Sequence, residues 1–111
     1  MMNAADRKSA IAAYRERKII AGVYAIRCLT SGQAWVGAAP DVETIQNRLW
    51  FTLRHGGNAH PVLQVAWKAH GEGGFVFEVL EPVVEESAYV RGVVLKERAV
   101  HWREQLSAFA L

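Results

Sequence analysis

Ala21-Gly22-Val23-Tyr24-Ala25-Ile26-Arg27-Cys28-Leu29, then Thr30-Ser31-Gly32-Gln33, then Ala34-Trp35-Val36-Gly37, is the stretch that decides how this chain folds. Its first part is apolar and rich in β-branched and aromatic side chains, which suits a strand. The middle part is turn chemistry. The last part reads as a second short strand. A connection this short joins antiparallel neighbours, so the stretch predicts a hairpin.

Downstream, Pro40-Asp41 opens an element in which Val42, Ile45, Leu49 and Leu53 recur at helical spacing. Gly56-Gly57 stops it. Asn58 is expected to cap the next helix, with Pro61 in its first turn. Val62, Val65, Ala66 and Ala69 form that helix's apolar side, and Gly71 to Gly74 end it. Phe75-Val76-Phe77-Glu78-Val79-Leu80 reads as a third strand. Glu85 or Ser87 opens a final helix with Val90, Val94, Arg98, Trp102 and Leu106 on neighbouring turns. Upstream, Asn3 and Asp6 predict a helix over Ala4–Lys18 with a thin apolar stripe. The order is α-β-β-α-α-β-α, an α/β (α+β) chain in which helices pack on a small sheet.

Composition narrows the classes. The chain has 111 residues, 51% of them hydrophobic and 22% charged, enough to bury one core and too apolar for disorder. No apolar run approaches the ~20 residues of a membrane span, and residues 1–18 lack the apolar core of a secretory signal. The single cysteine, Cys28, excludes an internal disulfide and reads as a small buried residue. A cytoplasmic protein is expected. Residues 1–55 hold eight Lys/Arg against four acids, and residues 56–111 five against seven. That asymmetry is weak beside the charge of dedicated nucleic-acid binders.

Two tripeptides, Gly22-Val23-Tyr24 and Trp35-Val36-Gly37, sit on the predicted hairpin with ten residues between Tyr24 and Trp35. Arg48-Leu49 follows on a helix. Asn58 precedes a helix containing Leu63, Gln64 and Trp67, and the third strand reads Phe75-Val76-Phe77-Glu78-Val79-Leu80-Glu81. In this order the chain resembles the GIY-YIG endonucleases over roughly residues 20–106. The resemblance implies one domain over 1–111, with 1–19 an N-terminal helical extension. It implies a three-stranded antiparallel sheet flanked by helices, and hydrolysis of DNA phosphodiester bonds with Mg²⁺ or Mn²⁺. Such chemistry needs an activated water, a clamp on developing negative charge and help for the leaving oxygen.

Carried over residue by residue, the resemblance makes Tyr24 the first motif tyrosine, to orient or activate water. It makes Arg48 the helix arginine that clamps phosphate. Gly37 matches the second motif's glycine, there for close backbone approach or a positive φ. Gly37, Arg54 and Asn58 are the expected substrate contacts. Three positions depart from the pattern. Trp35 stands where the second tyrosine would be; an indole donates one hydrogen bond but exchanges no proton near neutral pH. Thr52 stands one turn after Arg48, where the family often has histidine, and His55 is the nearby substitute as a general base. Ala99 stands at the position of the metal-binding glutamate. Glu97, about 200° away on the helix, is the available carboxylate and reads equally as a solvated helix acid.

Two functions of different class follow. One is a divalent-metal-dependent endonuclease. The other is a catalytically degenerate module of the same fold that binds nucleic acid or a protein partner without cutting. DNA is the expected partner, with a protein partner or a second copy supplying specificity, and no membrane. A chain without a separate DNA-binding domain is expected to cut with weak sequence preference.

Overall fold

The computed structural model describes residues 19–111. The helix expected over Ala4–Lys18 lies outside the described residues. The elements are β1 (Gly22–Cys28), β2 (Ala34–Ala39), α1 (Val42–Arg54), α2 (Pro61–His70), a 3₁₀ turn (Glu72–Gly74), β3 (Phe75–Pro82), α3 (Ala88–Leu106) and β4 (Phe109–Ala110).

The hairpin forms as its sequence predicts. β1 and β2 pair antiparallel from Gly22↔Ala39 to Arg27↔Ala34, and Gly32 takes the positive φ, 78°, that the turn demands. β3 adds antiparallel to the other side of β1, with a bulge beside Val23/Tyr24. The sheet is not three-stranded and wholly antiparallel. It has the order β3-β1-β2-β4, and β4 pairs parallel to β2 through Trp35↔Phe109 and Val36↔Ala110. A strand of two residues is too short to leave a periodic signal.

Local chemistry sets the helix ends. Asp41 caps α1, its carboxylate accepting from the Thr44 amide at 3.2 Å. Ser87 caps α3 by accepting from the Val90 amide at 3.3 Å, so Glu85 and Glu86 lie before the helix. The cap position of α2 is His60, without a side-chain cap bond, and Pro61 follows as the first helical residue. Asn58 is therefore not the cap.

Strand alternation then builds three layers. Tyr24, Ile26 and Cys28 of β1 and Trp35 of β2 face α1 and α2, where they pack with Leu49, Leu53, Leu63 and Trp67. Val23, Ala25 and Val36 face the other way, against Ala99, Trp102 and Leu106 of α3. Cys28 is free and buried, as expected. Among the described residues no helix is long and apolar enough to cross a membrane.

Candidate functional site

The two tripeptides meet across the hairpin. Tyr24 pairs with Gly37, so both project from the same face. A Cβ on Gly37 would lie 2.6 Å from the Tyr24 Oη: the phenol lies across the glycine. Gly37 is not in the positive-φ region, so close approach, not backbone conformation, is why glycine is needed. Gly22 has the same reason, since its Cβ would come 2.7 Å from the Glu81 carbonyl oxygen.

Tyr24 is 4% exposed and stacks on Phe77 at 5.1 Å between centroids. Burial pushes its pKa up to about 12, because a phenolate would lose its hydration there. At neutral pH the group is a phenol, able to donate a hydrogen bond but not to take a proton from water. Trp35, one row along, is 1% exposed. Its ring stacks on Phe109 at 5.6 Å, and its indole N–H has no hydrogen-bond partner.

Other candidates lie around the end of α1. Arg48 is exposed; it precedes buried Leu49 and so sits about 100° round the helix from it. Arg54 is exposed and paired with Glu72, whose carboxylate raises the guanidinium's pKa and is itself held below its ordinary range. His55 ends α1, exposed, with Nδ1 2.8 Å from the Phe51 carbonyl oxygen. That carbonyl can only accept, so Nδ1 carries a proton and donates. Asn58 is spent on the loop: its amide donates to the Thr52 hydroxyl at 3.0 Å and its oxygen accepts from the His60 amide at 2.9 Å. Gln64 completes the tie by donating to the Leu53 carbonyl and accepting from the Asn58 amide. Thr52 thus organises the loop where a histidine was sought.

The carboxylates are elsewhere. Glu97 is exposed on α3, and α3 packs on the sheet face opposite Tyr24. Ala99 packs into that opposite face. The cluster that sequence reasoning missed is here too. Glu81 accepts from Arg98 Nε at 2.9 Å and from Trp102 Nε1 at 2.9 Å, and Arg98 and Trp102 together lower its pKa. The signal was available: Arg98 and Trp102 stand one helical turn apart, and Glu81 lies next to last in the third strand. A cavity of about 840 Å³ opens at the strand ends, lined by Ile20, Pro40, Pro82 and Val83 among others, and by none of the site candidates.

These residues do not fit a divalent ion on the Tyr24 face. Mg²⁺ is held through oxygen ligands, usually with one or two carboxylates. Among the described residues no three or more His, Cys, Asp or Glu gather to hold a metal, and no buried residue is charged.

No protein-family model matches the sequence, and no curated protein does. Its architecture is nevertheless that of the GIY-YIG endonucleases, the class that the motif hairpin indicates. Two solved structures share it. One is the catalytic domain of intron endonuclease I-TevI in a glutamate-to-alanine mutant, 27% identical, with a TM-score of 0.69 over 80% of this chain and 86% of that one. The other is the catalytic domain of homing endonuclease I-TevI, 23% identical, with a TM-score of 0.69 over 82% of this chain and 97% of that one.

Proposed function

We propose that this domain, built on a nuclease fold, is directed at DNA and engages the phosphodiester backbone without metal-dependent cleavage. Kinship with a homing-endonuclease catalytic domain supports nuclease-type function in general. The observation that carries the finer reading is the division of the motif chemistry between the two faces of the sheet. The phenol and the indole lie on one face, and α3, which carries Glu97 and Ala99, lies on the other.

The layers also differ in charge. Residues 42–70, which include α1 and α2, hold Arg48, Arg54 and Lys68 against Glu43. Residues 83–106, which include α3, hold four cations and four acids. A phosphate backbone would approach the first layer. There Arg48 and Lys68 are exposed cations, and His55 is an exposed imidazole between them in sequence.

The test is binding of a labelled duplex by fluorescence anisotropy in EDTA, across a salt series. Binding should persist without metal and weaken with salt, and Arg48→Glu and Lys68→Glu should each lower the salt slope by about 1. Binding that needs Mg²⁺, or is unmoved by both reversals, would overturn the reading.

A second reading, a metal-dependent endonuclease in which Tyr24 activates water and Arg48 clamps phosphate, is favoured by the retention of Tyr24 over Gly37. Mg²⁺ or Mn²⁺ would be its cofactor and Glu97 the carboxylate to hold it. It requires Tyr24 to reach solvent as a base and a carboxylate to reach its face. A protein partner or a second copy supplying specificity would serve either reading.

A further inference from the structure

Residues 108–111 lie against the motif. Ser107 ends α3 in the left-handed conformation (φ 48°, ψ 46°), a turn that costs a non-glycine residue about 1–2 kcal/mol. It sends the chain back along β2. There Phe109 stacks on Trp35, and the Leu111 amide donates to the Val36 carbonyl at 3.0 Å. The Leu111 Cβ lies 3.0 Å from the point where a Gly37 Cβ would stand, the same point that the Tyr24 hydroxyl approaches at 2.6 Å. Leu111 joins the cluster that contains Tyr24 and Trp35. Residues 108–111 thus pack on the Trp35 ring and beside the Tyr24 hydroxyl.

Neither group is bonded within the described residues, and the indole N–H is buried. The indole N–H is fully buried with no partner, a defect worth about 1–3 kcal/mol in a folded protein. The Tyr24 hydroxyl has no hydrogen bond in the structure to any described residue. The tail itself is held lightly: β4 is two residues long, both exposed, and Phe109 is 45% exposed while covering Trp35. Short edge segments with few buried contacts open locally at low free energy.

We propose that Ala108–Leu111 is a strap that competes with a ligand for this site, and that its release presents the Trp35 N–H and the Tyr24 O–H as paired donors to a phosphodiester oxygen. The identity of the ligand rests on the DNA-directed reading above; the strap does not. Both donors are neutral, so the open site holds an oxyanion by hydrogen bonding. Cations such as Arg48 would supply the attraction at longer range.

The strap is tested first in the unaltered chain, by amide hydrogen exchange. The Leu111 amide should exchange by local opening, far faster than the amides of β1. Equal protection of the two would overturn the proposal. The second test is the pair Phe109→Ser/Leu111→Ser, with folding checked by thermal melting. Alkaline absorbance titration, with the same pair in a Tyr24→Phe background as reference, should move the Tyr24 ionisation from about 12 toward the ordinary phenol value of 10. A short single-stranded oligonucleotide should bind on the order of tenfold tighter to the pair than to the unaltered chain, since closure no longer taxes binding. Trp35→Phe should remove part of that gain. If a folded variant pair leaves Tyr24 titrating near 12, the strap is wrong. If Tyr24 is released but no oligonucleotide binds to either form, the strap stands and the DNA-directed reading falls.

Discussion

The two faces of this sheet have spent their polar groups differently. On the α3 face charged groups are engaged with one another: Glu81 with Arg98 and Trp102, and Arg27 with Glu78. On the face under α1 and α2 the motif's polar groups are neutral: a phenol across a glycine, and a buried indole N–H with no acceptor. The first face is stabilised by its own chemistry. The second is stabilised by packing alone and carries hydrogen-bond donors that nothing inside uses. Buried groups without partners are rare in folded proteins and tend to mark places where something else is to be bound.

That contrast sets the expected effects, the largest first. Trp35→Ala should cost about 3–5 kcal/mol, because a large buried ring leaves a cavity that the sheet cannot close. Trp102→Ala, on a half-buried ring across the sheet, should cost clearly less. Denaturant titration of both variants decides this, and equal losses would erase the distinction between a packed face and a bonded one.

Next is alkaline pH. The Tyr24 phenol ionises near 10 when unfolded and at about 12 when folded. Its contribution is therefore complete below pH 10 and is lost as pH rises through 12, by about 2–3 kcal/mol. Tyr24→Phe should abolish that part of the alkaline decline. Melting across that pH range measures it, and an unchanged profile in the variant would show that the phenol is not buried.

Gly37→Ala should cost about 1–3 kcal/mol, because the new methyl must displace the Tyr24 hydroxyl or Leu111. Combining it with Tyr24→Phe should leave a smaller loss than the single variant shows, and additive losses would mean that the two residues do not touch.

The smallest effect belongs to the bonded face. Glu81→Gln should cost about 1 kcal/mol, discounted because the pair is about a third exposed. Arg98 and Trp102 hold Glu81 below its ordinary range. Its contribution is therefore present above the unfolded carboxylate value and disappears as pH falls through the lowered one. The difference between wild type and variant should vanish under acid, and a gap that persisted there would place the bonding elsewhere.

The hairpin was legible because strand residues, turn residues and strand residues follow one another without interruption from Gly22 to Gly37. The likeness of fold was legible because the same stretch carries both tripeptides. The helices of the described residues announced themselves through Asp41, Pro61 and Ser87. What stayed hidden was relational. Alternation places Tyr24 and Trp35 on one face, but it does not say that the tail covers them. A two-residue strand has no period, so β4 and its parallel pairing could not be read. Asn58 looked like a cap because its residue type caps helices, yet it is Gln64 and Thr52, both on helices, that fix its role. Glu97 looked available because sequence distance from Ala99 is short, whereas the sheet lies between its helix and the phenol.

The most direct test of the division between the two faces is nicking of supercoiled plasmid by the intact chain in Mg²⁺ or Mn²⁺, followed over time beside the Tyr24→Phe variant. The account predicts no metal-dependent relaxation by either protein, while both shift the plasmid's mobility in EDTA. Nicking by wild type that disappears in Tyr24→Phe would contradict it and establish the phenol as part of a working nuclease site.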